Sequence, residues 1–160
     1  MNKLNQKATN SDKQDAVKLA QLCFKGHGER ENAIRFLTWQ EALNKSGEQE
    51  IAKQFLEIAL EEIKHLTSLN KSAIDLGFSQ LVSWQSIVPE RCFIKSKINV
   101  KKILIDAICV KSALIEDYEK AIKTTKNEQV KELFCKIIRE EKAQRQKIER
   151  FFGGITTFYG

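Results

Sequence analysis

Glu62 and His65 stand three places apart near the middle of a 160-residue chain. On a helix, residues at i and i+3 lie on one side, where a carboxylate and an imidazole can share a metal ion of hard or borderline character. Ile51, Phe55, Ile58 and Leu69 continue the same face at steps of three and four, so the pair falls inside the apolar stripe of an amphipathic helix. A bare carboxylate is costly to bury there and needs a partner. One answer is a metal ion. The other is a buried Glu held by Arg or Lys, with the histidine satisfied by a hydrogen bond. E-x-x-H arises readily in any Glu-rich helix, and its place on the inner face is what gives it weight.

The arrangement occurs a second time. Moving the segment by 79 places overlays Ile51 on Val130, Phe55 on Phe134, Glu61-Glu62 on Glu140-Glu141, and His65 on Gln144. An internal repeat of this kind implies two halves related by a pseudo-twofold axis.

Stepping along the chain gives the elements that position these residues. Seven glycines and one proline leave little material for the turns of an all-β fold, while 42% hydrophobic and 30% charged residues suit helices. The length fits one domain. Residues 1–13 are polar and read as a loose tail. A first helix is expected from about Asp15 to Lys45, bent or broken at Gly26-His27-Gly28. Ser46-Gly47-Glu48-Gln49 reads as a capping box that opens a second helix, with Gly77 as its C-cap. Residues 78–97 hold the only proline, Pro89, and read as a long crossover. The third helix, about Lys97 to Lys123, places Val100, Leu104, Ala107, Lys111, Leu114 and Tyr118 on one face. Thr125-Lys126-Asn127-Glu128 reads as another capping box, and the fourth helix carries Val130, Phe134, Ile137, Glu141, Gln144 and Ile148 inward. Gly153-Gly154 is expected to end it near Phe152, and the apolar residues 153–160 to pack back. The fold expected is an all-α four-helix bundle over residues 14–152, two helix hairpins joined by a long crossover.

Composition narrows the function classes. No apolar run approaches the roughly 18 residues of a membrane span, and the polar N-terminus has no signal-peptide core, so a cytoplasmic protein without membrane contact is expected. Cys23, Cys92, Cys109 and Cys135 form no CxxC pair and read as buried thiols in a reducing compartment. The net charge of +6 is spread as mixed-sign runs apart from Lys3, Lys7 and Lys13, which is weak support for nucleic acid, and none is expected as a partner. His27, between two glycines, reads as a turn residue, and Trp39 and Trp84 as packing residues. There is no Gly-rich phosphate loop and no G-x-S-x-G elbow.

Four segments carry a resemblance. They are Ala33-Ile34, Ile58-Ala59-Leu60-Glu61-Glu62-Ile63-Lys64-His65-Leu66, Ile115-Glu116-Asp117-Tyr118 and Lys136-Ile137-Ile138-Arg139-Glu140-Glu141. With them the chain resembles the ferritin-like superfamily, and in particular rubrerythrin-like and manganese-catalase-like bundle proteins, across residues 16–151. Such proteins hold two metal ions with one Glu from each of helices one and three and a Glu-x-x-His from each of helices two and four. The resemblance therefore implies that Glu62, His65 and Glu141 occupy ligand stations. It also implies that Gln144 replaces the second His, Lys111 the third-helix Glu, and Arg30 the first-helix Glu. The Lys111 assignment rests on Tyr118 and Ala113; that of Arg30 rests on Ala33-Ile34, with Glu29 and Glu31 on either side as alternatives. Four carboxylates balance two divalent ions, and two carboxylates facing one Arg and one Lys balance without metal. No Cys-rich rubredoxin module is present to deliver electrons.

The expectation from these residues is a ferritin-like protein with a partly lost two-metal site. It would be metal-free or hold a single iron or manganese ion, lack two-metal oxidase chemistry, and act as a binding or assembly partner, with a homodimer through outer helix faces. The alternative is an active iron- or manganese-dependent oxidoreductase with an altered site, using Glu62, His65 and Glu141 with Glu29 or Glu31. A basic DNA-binding mini-ferritin is the weakest reading, because its tail holds only three lysines.

Overall fold

The apolar stripes at steps of three and four become buried helix faces. A computed structural model describes residues 8–78 and 98–158 and contains five α-helices: α1 (Asn10–Phe24), α2 (Glu29–Lys45), α3 (Gln49–Asp75), α4 (Val100–Thr124) and α5 (Glu128–Phe158). No strand occurs among the described residues. The expected crossover at 78–97 lies, apart from Phe78, outside them.

The first bundle position is shared by two helices. α1 starts at Asn10, inside the stretch read as a tail, because Thr9 and Asp12 form a capping box: Thr9 Oγ1 accepts from the Asp12 N–H at 3.1 Å and the Thr9 N–H donates to Asp12 Oδ2 at 2.8 Å. The break expected at the glycines is present. Gly28 caps α2, and a Cβ there would meet the Leu22 carbonyl oxygen at 2.6 Å and the Cys23 carbonyl at 2.8 Å. Backbone passes too close for any side chain.

Caps correct the sequence reading elsewhere. Ser46 closes α2, its hydroxyl donating to the Leu43 carbonyl at 2.9 Å, and α3 starts without a side-chain cap. Gly47, at φ 88°, supplies the left-handed turn between them. Gly77, at φ 92°, lies just past the end of α3 as expected. Asn127, rather than Thr125, caps α5, accepting from the Val130 N–H at 3.2 Å. α5 does not stop at Gly153-Gly154 but continues to Phe158. Two interior glycines cost about 1 kcal/mol each, and Phe151, Phe152 and Ile155 offset this by packing on the core.

Side-chain pairs give the topology. Glu29 meets His65 and Phe36 meets Phe55, so α2 and α3 are antiparallel; Glu119 meets Lys142 and Ser112 meets Arg145, so α4 and α5 are too. His65 with Glu140 and Gln144 with Glu61 set α3 antiparallel to α5. The successive helices α3 and α4 consequently run parallel, which demands a long connection. The core has two apolar ends: one built around Leu19, Leu69, Leu114, Tyr118 and Phe134, the other around Phe36, Leu43, Phe55, Leu104 and Ile148. Trp39 packs edge-on against Phe36, with ring centroids 5.3 Å apart. Between the two ends lies a polar layer.

The cysteines do not all follow the expectation of burial. Cys23 is buried, whereas Cys109 and Cys135 fall on outer helix faces, and Cys92 lies outside the described residues. Burial, then the nearby Glu29 charge, pushes the Cys23 thiol up to about 12, which makes it unreactive. No described helix is long and apolar enough to cross a membrane.

Candidate metal centre

The polar layer is assembled from short stretches of four helices. α2 contributes Glu29, α3 contributes Glu62 and His65, α4 contributes Lys111 and Tyr118, and α5 contributes Glu141 and Gln144; all are buried. The Arg30 reading is corrected by one position. Its side chain is partly exposed and pairs with Glu31 at 3.5 Å, while the wholly buried Glu29 faces the centre. Adjacent helical residues differ in direction by about 100°, and docking of α2 after the glycine break chooses Glu29.

Lys111 enters the same buried layer from α4. Its stem is packed in the core, and its ammonium donates to Glu62 Oε1 at 2.6 Å and to Glu141 Oε2 at 2.8 Å, with the Phe36 ring centroid at 5.0 Å. Each of these carboxylates thus gives one oxygen to the ammonium. The other oxygens, Glu62 Oε2 and Glu141 Oε1, have no hydrogen-bond partner, and the same holds for Glu29 Oε2 and His65 Nδ1. The second Glu29 oxygen accepts a short hydrogen bond from the Tyr118 hydroxyl.

Two outer carboxylates brace the centre crosswise. His65 Nε2 bonds Glu140 Oε2 at 3.0 Å, and Gln144 Nε2 donates to Glu61 Oε2 at 2.6 Å. Each helix of the repeat thereby holds the other's station through the residue preceding its inward glutamate. With Nε2 bonded to Glu140, His65 turns Nδ1 inward, 3.3 Å from Glu141 Oε1 and 3.4 Å from Glu29 Oε2. Sequence reasoning did not assign roles to Glu61, Glu140 or Tyr118. The signal for the first two was present, since the Glu-Glu doublet repeats whole.

Electrostatics follow from burial and pairing. Burial drives the Glu62 carboxyl well above the usual range, Lys111 opposing and Glu141 and Glu29 adding to it. Burial works the same way on Glu141, but Lys111 and His65 outweigh it and hold that carboxyl low. Burial opposes charge on His65, yet its contacts with Glu141 and Glu29 push it up to about 11. The carboxylates around Lys111 likewise overcome its burial and keep it protonated. Lys111 and His65 thus set two basic groups against the three buried carboxyls of the layer.

The donor set can be tested against a metal ion. One ligand atom from each of Glu29, Glu62, His65 and Glu141 lies within 4.8 Å of the others, and each of these residues also holds an unbonded buried polar atom. Three carboxylates and an imidazole fit one divalent ion such as iron or manganese. Beside this cluster Lys111 presents an ammonium without a lone pair, and Gln144 donates its amide nitrogen to Glu61 while its Oε1 has no hydrogen-bond partner.

Comparison with known proteins gives a family and a fold. A family model described as Rubrerythrin matches residues 26–150. Among solved structures, the chain is similar to the bacterioferritin of Desulfovibrio desulfuricans, solved with its diiron site in different catalytic states, at a TM-score of 0.74 and 20% identity over 94% of this chain and 86% of that one. At that identity the likeness speaks for the fold alone. No match was found among curated protein sequences.

Proposed function

The chain belongs to the rubrerythrin family, and from that premise we propose that its centre binds at most one divalent iron or manganese ion, with the Lys111 ammonium in place of a second. Glu29, Glu62, His65 and Glu141 would hold the ion. The observation that carries this reading is the pair of hydrogen bonds from Lys111 to the inner oxygens of Glu62 and Glu141, 2.6 and 2.8 Å long. A dication about 4 Å from that ammonium would meet a repulsion of ~8 kcal/mol at an effective dielectric of about 20. An ion at the remaining position would supply Lewis acidity and, for iron, one-electron redox chemistry.

This chain's residues set the terms of binding. His65 offers Nδ1 only after losing its proton, and Glu140 keeps the ring turned for that role. Tyr118 fixes the Glu29 carboxylate. Chemistry that shares two electrons between adjacent ions has no second position here. The protein functions as a ferritin-like one-ion or metal-free bundle, not as a two-metal oxidase.

Metal stoichiometry tests the reading. Protein loaded anaerobically with excess Fe²⁺ or Mn²⁺, desalted and analysed by mass spectrometry should hold no more than one ion per chain. Lys111→Glu combined with Gln144→His restores four carboxylates and two imidazoles and should take up two. Arg30 needs no change, since Glu29 already occupies its station. Two ions per unaltered chain, or metal-dependent peroxide turnover by it, would overturn the proposal in favour of an active oxidoreductase.

A further inference from the structure

α1 and α4 run antiparallel, since Asp15 meets Asn127 and Lys18 meets Thr124. Between them lies a groove of about 290 Å³ that shares no residue with the polar layer. That volume is close to the ~300 Å³ at which small-molecule sites begin. Continued along the helices, the same register sets Lys120 across from Leu22 and Lys25 across from Asp117, all four on the groove lining.

Three ammonium groups border the groove, against the single carboxylate of Asp117. Lys18 is anchored, its Nζ donating to Asp15 Oδ1 and to the Thr124 carbonyl, both at 2.7 Å, with the side chain only 16% exposed. An ammonium carries three hydrogens, so one is left for a ligand. Asp15, for its part, also accepts from the N–H groups of Lys126 and Asn127. Lys25, the C-cap of α1, makes no ion pair among the described residues. Lys120 has only long, exposed contacts, 3.7 Å to Glu116 and 4.0 Å to Asp117, which cost little to exchange for a better partner.

The kinds of donor identify the ligand. No arginine borders the groove. The guanidinium fork suits planar carboxylates, whereas lysines act as point charges with rotatable hydrogens and suit a tetrahedral oxyanion. Lys18 and Lys25 are seven residues apart, about 10.5 Å along the helix, with Lys120 facing the interval between them. Several oxygens spread over two centres serve such a row better than one compact ion. Leu22 and Ala121 give the lining an apolar part, and Gln21 adds a neutral amide donor.

We propose that this groove binds an anion of two linked phosphoryl groups, free or at the end of an ester, held by Lys18, Lys120 and Lys25. The site is separate from the metal centre and does not depend on whether metal binds there.

Isothermal titration calorimetry on the full chain, freed of metal with a chelator and kept at low salt, tests it with pyrophosphate and with adenosine diphosphate. One equivalent of either should bind with a dissociation constant below ~1 mM, and inorganic phosphate should bind more weakly. Saturable binding of either diphosphate supports the proposal, the tighter of the two giving the source. Lys25→Gln with Lys120→Gln should weaken binding at least about tenfold, the loss of charge-assisted hydrogen bonds, with unchanged far-UV circular dichroism. Lys53→Gln with Lys147→Gln removes the same charge from exposed positions elsewhere on the bundle and should leave binding within about twofold, since distant exposed charges are screened. No saturable binding to the unaltered protein overturns the proposal, as does an equal loss in both double variants, which would mark attraction to net charge alone. Citrate binding as tightly as pyrophosphate overturns the phosphoryl assignment.

Discussion

Replacing Lys111 by methionine keeps an unbranched stem of similar volume and removes only the ammonium. Lys111 is wholly buried, as are both carboxylates it bonds, so no water replaces the lost donor. Glu62 and Glu141 each lose one charge-assisted hydrogen bond, and each already carries an unbonded oxygen. Removing one partner of a buried pair costs about 3–5 kcal/mol. The lower end is expected, because burial already disfavours charge on Glu62 and His65 still faces Glu141 at 3.3 Å. For a chain of this length, 3 kcal/mol corresponds to a fall in Tm of about 6–12 °C. Urea unfolding followed at 222 nm should show a lower midpoint with unchanged slope. Glu62→Gln added to Lys111→Met should cost less than the sum of the two single changes, since the amide no longer needs the ammonium. A loss below about 1 kcal/mol, the range of exposed ion pairs, would refute the buried pair and with it the claim that Lys111 fills the second metal position.

Asp15 is buried and joins α1 to the α4–α5 turn, accepting from the N–H groups of Lys126 and Asn127 at 3.0 and 2.9 Å and from Lys18 at 2.7 Å. Burial raises its carboxyl, but these donors prevail and hold it below its ordinary 3.8; Asp15→Ala should cost about 1–3 kcal/mol near pH 6. A depressed carboxyl contributes fully above its unfolded pKa and loses its effect as pH falls through the folded value, so the gap between variant and unaltered protein should narrow in urea titrations from pH 5 downward. Gly28→Ala should lower stability by about 1–3 kcal/mol in the same assay, since its Cβ would press on Leu22 and Cys23 backbone. Phe55→Ala and Phe134→Ala should each cost about 3–5 kcal/mol, as both rings are fully buried.

Much of this was legible in the chain itself. Helical period is a local property, and it placed Glu62, His65, Lys111, Glu141 and Gln144 on inner faces that the structure buries. The repeat of Glu61-Glu62 as Glu140-Glu141 announced two halves, and two glycines announced the break in the first helix. What sequence could not decide were relations between segments that share no continuous helix. Glu29, Arg30 and Glu31 point in three directions, and the glycine break severs their phase from α1, so only the docking of α2 against α3 and α4 puts Glu29 beside His65 and Tyr118. Asp15 looked like a helix start; it is a cap for another helix, more than a hundred residues away in sequence. Gly153-Gly154 carried a local stop signal that packing of Phe151, Phe152 and Ile155 overrules. Helical phase needs only the order of neighbouring residues, whereas partners across the bundle depend on how separate helices rotate and slide as their apolar faces leave water.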